Sequence, residues 1–259
     1  MARRALFPGV SRPLIFAHRG YSARAPENTM PAFHRAADAG IPGVELDVHL
    51  SRDGIPVVAH DADLLRLAGV DAALGELTAE ELARADVGSW FSAAFAGTGV
   101  PTLDELFETF KTSFYYDVEI KHSGGDPSAL IEAVLSCIDR HALTSHVLIS
   151  SFHPAVVARV RRAHGLLPAA LIFSAHRQVP LALRRGQGRY LSMPDVLKPH
   201  WAELLRPSAR ILGPLDTRPR IVWTVDGAEA LDALQGVGAS YEGIVSNDPV
   251  AAQRRWVGG

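Results

Sequence analysis

Residues 44–49 read Val44-Glu45-Leu46-Asp47-Val48-His49, a β-branched run in which apolar and ionisable residues alternate. In an extended strand, side chains i and i+2 share a face, so Glu45 and Asp47 point one way and Val44, Leu46 and Val48 the other. An unpaired carboxylate is costly to bury, so the acidic face must find cations. Outward from this stretch, comparable runs recur at Leu14–Ala17, Tyr115–Ile120, Val147–Ser150, Ala170–Phe173, Tyr190–Ser192, Ile221–Val225 and Gly243–Val245, which makes eight candidate strands. Amphipathic helical patterns with readable ends lie between them. One is capped by Asn28 or Thr29 and stops at Gly40; another is opened by Asp126-Pro127, with Leu130, Ile131, Val134, Leu135 and Ile138 at helical spacing; a third spans Pro154 to His164. Alternating strands and helices argue a parallel sheet with right-handed crossovers, and eight such units in 259 residues fit an α/β fold of the (β/α)₈ TIM-barrel type. A doubly wound open sheet is the runner-up. It more often carries a Gly-rich phosphate loop after its first strand, and His18-Arg19-Gly20-Tyr21 is not one.

One segment breaks the rhythm. Ile55–His60 reads as a further strand, turned by Asp53-Gly54 from the end of the second. Residues 61–100 then show no clear strand before Pro101-Thr102-Leu103 opens a helix. The expectation is a small insertion after the second strand, covering the barrel mouth and containing a helix over Thr78–Ala85, within one catalytic domain spanning residues 1–259. Residues 194–220 carry five prolines and no tidy helical pattern.

The 26 Lys+Arg against 28 Asp+Glu leave a formal charge of −2, which excludes a protein that grips polyanions through its overall field and argues against a nucleic-acid partner. Any anion must be held by a local cluster. A single cysteine, Cys137, excludes an intramolecular disulfide framework and a multi-cysteine zinc site; it lies in an apolar helical pattern as an inert core thiol. Neither a signal-peptide apolar core nor a run of ~18 apolar residues is present, so a cytoplasmic chain without an integral membrane segment is the expectation.

In a barrel of this type the chemistry sits at the C-terminal ends of the strands. The first candidate strand ends in His18-Arg19, the second carries Glu45 and Asp47, the hairpin ends in His60-Asp61, and the third carries Glu119 and Lys121. If the shared face is the barrel interior, Glu45, Asp47 and Glu119 converge with a charge of −3. Such a cluster suits one hard divalent cation, Mg²⁺ or Ca²⁺ with Mn²⁺ also compatible; the alternative is that the carboxylates pair with Lys or Arg from neighbouring strands. His18 and His60 are candidates for general acid and base, and Arg19 and Lys121 for gripping phosphoryl oxygens. Together these groups describe phosphoester chemistry. His34, His141, His164, His176 and His200 fall on helix faces or in loops and are expected to be solvated; His49 is placed at the rim, and His122 and His153 follow strands with nothing to pair with. Trp223 is either a core residue or a wall for the organic part of a substrate, and Trp90-Phe91 either an apolar cap or the insertion's core.

His18-Arg19-Gly20 with Ala25-Pro26-Glu27-Asn28-Thr29, then Glu45-Leu46-Asp47-Val48, Asp53-Gly54 and Pro56-Val57-Val58-Ala59-His60-Asp61, resembles the glycerophosphodiester phosphodiesterase family. Pro101-Thr102-Leu103, Glu119-Ile120-Lys121, Ser151-Phe152, Trp223-Thr224-Val225 and Gly243-Ile244-Val245-Ser246-Asn247-Asp248-Pro249 continue the resemblance in order, from residue 14 to about 250. The resemblance implies metal ligands at Glu45, Asp47 and Glu119, catalytic histidines at His18 and His60, phosphate binding by Arg19 and Lys121, and Trp223 along the glycerol side. The implied reaction is hydrolysis of a small-molecule glycerophosphodiester to an alcohol and sn-glycerol 3-phosphate with Mg²⁺ or Ca²⁺, by direct water attack or through a cyclic phosphate. Related alternatives are a lysophospholipase D or sphingomyelinase D-like activity on lipid head groups, and a non-catalytic phosphodiester-binding barrel. Asp226 stands where the family usually has Asn, and residues 194–220 depart from its regular helix.

Overall fold

A computed structural model describes residues 6–7, 10–122, 124–177, 179–181, 183–206, 216–237 and 241–257. The strands follow the period-two runs: Leu14–His18 (β1), Gly43–Leu50 (β2), Pro56–Val58 (β3), Tyr115–Ile120 (β4), Val147–Ser151 (β5), Ala169–Phe173 (β6), Val196–Pro199 (β7), Ile221–Val222 (β8) and Gly243–Ser246 (β9). All but β3 are parallel, in the order β7-β6-β5-β4-β2-β1-β9-β8. Parallel bridges Leu197–Arg220 and His200–Trp223 bring the two ends together, with the Leu197 N–H donating to Pro219 O at 3.0 Å. Eight parallel strands meeting in this way form the TIM barrel the alternation implied.

Each strand has two faces with different partners. Ile15, Ala17, Val44, Leu46, Val48, Val118, Ile120, Ile149 and Leu171 point outward and pack against helices. Phe33 and Ala36 come from Met30–Asp38 (α1), Leu106 and Phe107 from Leu103–Phe110 (α4), Ile131 and Val134 from Ser128–Arg140 (α5), and Val157 and Val160 from Pro154–Ala163 (α6). Leu14, Phe16, Leu148, Ala170, Val196, Ile221 and Val245 point inward and, with Phe7, form the apolar floor of the barrel. Gly43 and Gly243 flank Phe16 from the neighbouring strands: a Cβ there would stand 2.8 and 2.7 Å from its ring, so the two glycines make the space the ring fills.

After β2 the chain turns back as β3, antiparallel, with Val48 opposite Val58. Residues 61–100 form the expected insertion, with short helices at Leu65–Ala68 (α2) and Ala79–Arg84 (α3). Thr78 caps α3: its hydroxyl accepts from Glu81 N, and Glu81 in turn accepts from Thr78 N. Leu64, Leu67, Leu74, Leu82 and Val100, with Val57 of β3, form an apolar core under this segment. Leu64 is thus internal, whereas Leu65 and Trp90 are exposed, so Trp90 is not part of that core.

Strand β7 differs from expectation. Tyr190–Ser192 lies in the one-turn helix Arg189–Ser192 (α7), with Tyr190 and Leu191 exposed, and the strand is Val196–Pro199. A three-residue apolar run carries no period, and the true strand is disguised by Lys198 in its middle. Beyond it come Trp201–Leu204 (α8), Gly227–Val237 (α9) and Pro249–Val257 (α10), while residues 207–215 of the proline-rich stretch fall outside the described residues. Asn28 and Thr29 do not cap α1 with their side chains; the Thr29 hydroxyl donates to Pro26 O and Asn28 turns inward.

Truncating the ring that closes the floor, Phe16→Ala, should cost about 3–5 kcal/mol of stability, read as a lowered urea midpoint at unchanged slope.

Candidate active site

Above the apolar floor, toward the C-terminal strand ends, the interior turns polar. β2 supplies Glu45 and Asp47, β4 supplies Asp117 and Glu119, β5 supplies Ser150 and β7 supplies Lys198, all buried. Strand register puts Glu45 beside Asp117 and Asp47 beside Glu119. Carboxylate oxygens of Glu45, Asp47 and Glu119, one from each, lie within 4.8 Å of one another, a grouping that could hold a metal ion. The donor set is all oxygen, which fits a hard divalent cation.

The cations the carboxylates require are also present. Lys121 Nζ lies 2.8 Å from Asp47 Oδ1 and 2.6 Å from Glu119 Oε1. Arg19 Nε lies 3.3 Å from Asp47 Oδ2. Lys198 Nζ lies 2.9 Å from Asp117 and 3.4 Å from Glu45, and donates to Ser150 Oγ at 3.3 Å. The three carboxylates expected to converge are joined by a fourth, Asp117, and the alternative of pairing with lysine and arginine applies alongside: the four face Arg19, Lys121 and Lys198, a formal −1. Asp117 and Lys198 are site residues beyond those the sequence reading names. Asp117 shares the parity of Glu119 and Lys121 and is legible on that ground; Lys198 lies in a strand that the apolar pattern does not reveal.

These neighbours set the ionisation of the cluster. Burial opposes the Asp47 charge, but Lys121 and then Arg19 overcome it and hold the carboxyl well below the usual range. Burial raises Glu45, against the pull of Lys198 and with the repulsion of Asp47 and Asp117. Lys121 and Lys198 are lowered by burial yet end above the ordinary lysine value, through Asp47 and Glu119 in the one case and Asp117 and Glu45 in the other.

His18 ends β1 inside the barrel. Its Nδ1 lies 2.6 Å from Asn247 Oδ1 and its Nε2 lies 3.8 Å from Glu45 Oε2. Burial first, then the Arg19 charge, push its pKa down to about 3. The chain then turns through left-handed backbone at Arg19 (φ 57°) and Gly20 (φ 78°), where a Cβ on Gly20 would strike Ala32 at 2.7 Å. That turn aims the Arg19 N–H at Glu45 Oε2 (3.3 Å) and its guanidinium at Asp47 and Glu27. Asn28, also left-handed, donates from Nδ2 to Asp47 Oδ2 at 2.8 Å.

His60 stands on the other side, at the start of the insertion. Its Nδ1 lies 2.7 Å from Asp61 Oδ1, and Arg66 of α2 joins Asp61 to Glu27. A continuous chain of ion pairs thus runs from Asp47 through Arg19, Glu27 and Arg66 to Asp61, which contacts His60. His49 Nε2 contacts His60 O at 3.1 Å, and His49, His60, Asp61, Lys121 and His122 line a pocket of about 350 Å³. Trp223 packs edge-on against Phe152 and His200 and donates from Nε1 to Lys198 O at 2.9 Å. His122 and His153, expected to be unpaired, pack edge-to-face with centroids 4.5 Å apart. His141 and His164, expected to be solvated, are largely covered: His141 at the end of α5 contacts Asp104 of α4, and His164 at the end of α6 contacts Asp139 of α5. The Cys137 thiol is buried, and burial followed by Asp104 push it up to about 12, as suits a core residue.

The sequence pattern of the glycerophosphoryl diester phosphodiesterase family matches residues 18–250. The chain belongs to that family, and with it to the hydrolases. A glycerophosphodiester phosphodiesterase of Caldanaerobacter subterraneus is 31% identical over 241 residues, covering 92% of this chain and 95% of its own. An Oleispira antarctica phosphodiesterase solved in complex with the product sn-glycerol-3-phosphate is 26% identical with a TM-score of 0.81, covering 94% of this chain and 96% of that one. A Silicibacter pomeroyi structure at 24% identity and a TM-score of 0.82, covering 98% and 96%, shares the fold. Among the described residues, no helix is long and apolar enough to cross a membrane.

Two measurements probe the buried charge cluster and the histidine beside it. Lys198→Met leaves Asp117 and Glu45 buried beside a neutral chain and should cost about 3–5 kcal/mol, and adding Asp117→Asn should recover part of the loss; denaturant midpoints read both. His18 gives a pH signature. Unfolded, its ring takes a proton below the usual 6.5, whereas the folded ring waits until about 3. The unfolded chain therefore binds more protons in that window, and stability falls with falling pH by up to about 1.4 kcal/mol per unit. Urea midpoints from pH 6.5 to 4 should fall more steeply for the native chain than for His18→Gln; parallel slopes would remove His18 from the account.

Proposed function

We propose that this chain hydrolyses glycerophosphodiesters to an alcohol and sn-glycerol 3-phosphate. The observation that carries the proposal is the convergence of Glu45, Asp47 and Glu119 within 4.8 Å at the barrel mouth, with His18, Arg19 and Lys121 against them. The names of the Caldanaerobacter relative and of the product-bound Oleispira structure support the same substrate class.

In this proposal Glu45, Asp47 and Glu119 hold one divalent cation, Mg²⁺ or Ca²⁺, which when bound supplies charge neutralisation to phosphoryl oxygens. Arg19 and Lys121 bind and orient the phosphodiester anion, the guanidinium by two donors and the ammonium as a point charge. His18, neutral at physiological pH, accepts at Nε2 the proton of the attacking group, which is either water or the substrate's own glycerol hydroxyl; in the second case water then opens the resulting cyclic phosphate to sn-glycerol 3-phosphate. The negative charge of the bound diester offsets Arg19 and raises the basicity of that nitrogen. His60, oriented by Asp61, gives its proton to the departing alkoxide as the phosphorus–oxygen bond to the alcohol breaks. Trp223, with Phe152 and His200 against it, forms the apolar wall for the carbon part of the substrate.

The test is release of sn-glycerol 3-phosphate from glycerophosphodiesters bearing choline, ethanolamine, glycerol or inositol, with a lysolipid diester as a further substrate, in Mg²⁺ and Ca²⁺ in turn. His18→Ala and His60→Ala should each lower kcat by at least about 10²-fold with the fold retained by circular dichroism, and excess EDTA should abolish turnover until the cation is restored. Full activity in either variant, or in excess EDTA, would sink the assignment.

A further inference from the structure

Asp226 lies just past β8, outside the carboxylate cluster, and three hydrogen bonds converge on it. Its Oδ1 accepts from Ser246 Oγ and from the Asn247 backbone N–H, each at 2.8 Å, and its Oδ2 lies 2.6 Å from Asn247 Nδ2. A carboxylate can only accept, so the Asn247 side chain must turn its NH₂ toward Asp226 and its oxygen the other way. That oxygen meets Ser22 Oγ at 2.9 Å and His18 Nδ1 at 2.6 Å. An amide oxygen also only accepts, so the neutral His18 ring carries its proton on Nδ1. Its Nε2 lone pair is left facing the site, on the side of Glu45.

We propose that Asp226 is a positioning residue which, acting through Asn247, fixes the tautomer of His18 and so makes Nε2 a proton acceptor. The consequence for turnover rests on the phosphodiesterase reading above; the tautomer itself does not. The polarity of the relay is what matters, and it can be reversed. In Asp226→Asn the new amide keeps its oxygen on Ser246 and the Asn247 N–H and turns its NH₂ toward Asn247. Two NH₂ groups then meet, the Asn247 amide must rotate, and its NH₂ faces His18 Nδ1. The ring proton moves to Nε2, where it blocks the acceptor. Adding Asn247→Asp restores the original polarity, because the carboxylate now at 247 accepts both from the amide at 226 and from His18 Nδ1.

The experiment uses the full chain with ¹⁵N-labelled histidine, and long-range ¹H–¹⁵N spectra at neutral pH identify the protonated ring nitrogen of His18. The native protein should show Nδ1–H, Asp226→Asn should show Nε2–H, and the Asp226→Asn/Asn247→Asp pair should return to Nδ1–H. In the same order kcat should fall by roughly tenfold or more, with KM changed less, and then recover to within about threefold of the native value. Nε2–H in the native protein would overturn the proposal without recourse to any variant. So would Asp226→Asn keeping both tautomer and kcat, or a double variant that folds but does not recover. If the spectra follow the expected order in a protein that cleaves no glycerophosphodiester, the proposed function fails while the relay stands.

Discussion

The structure depends on one electrostatic constraint: four carboxylates are buried in the lumen of a barrel and must be kept there. Glu45, Asp47, Asp117 and Glu119 are each less than about a tenth exposed, and isolated charges in such a place would neutralise or unfold their surroundings. Three cations answer them from different directions. Lys198 rises from β7 beneath Glu45 and Asp117, Lys121 reaches back from the end of β4, and Arg19 swings in from the left-handed turn after β1. None of these pairs is local in sequence except Lys121 with Glu119. The closed barrel is what brings them together, so the fold and the charge balance hold each other in place.

The same constraint explains how the insertion serves the site. Residues 61–100 share an apolar core with β3 and touch the chemistry through ion pairs more than through packing. Arg66 bridges Glu27 and Asp61, and Glu27 in turn holds Arg19. The orientation of His60 and that of Arg19 are thus linked through a single guanidinium on α2. On the opposite flank Asn247 does for His18 what Asp61 does for His60, and Ser22 and Asp226 hold Asn247 in turn.

Much of this was legible before the fold was known, for reasons particular to certain residues. Glu45 and Asp47 in an otherwise apolar strand, and Glu119 and Lys121 in another, betray themselves because a strand has only two faces and a buried one tolerates charge only with partners. His18, Arg19 and His60 stand at strand ends, where a barrel exposes its chemistry. Lys198 stays hidden because its charge breaks the apolar pattern by which a buried strand is recognised. Tyr190–Ser192 imitates that strand because three residues carry no measurable period. The pairing of His122 with His153, and the covering of His141 and His164, depend on neighbours from separate loops and helices.

By itself the sequence determined the alternation of strands and helices, the parity of the acidic residues and the chemistry available at the ends of the strands it located, since side-chain period and residue type are local properties. Only the tertiary structure decided the charge of the site. Whether three carboxylates face a lumen alone or stand with a fourth and three cations depends on which strands become neighbours, and on a left-handed turn that sends Arg19 inward. It also decided which ring nitrogen of His18 carries the proton. In the proposed relay that choice is made by Asn247, just past β9, and by Asp226 in the loop after β8, each more than two hundred residues away along the chain.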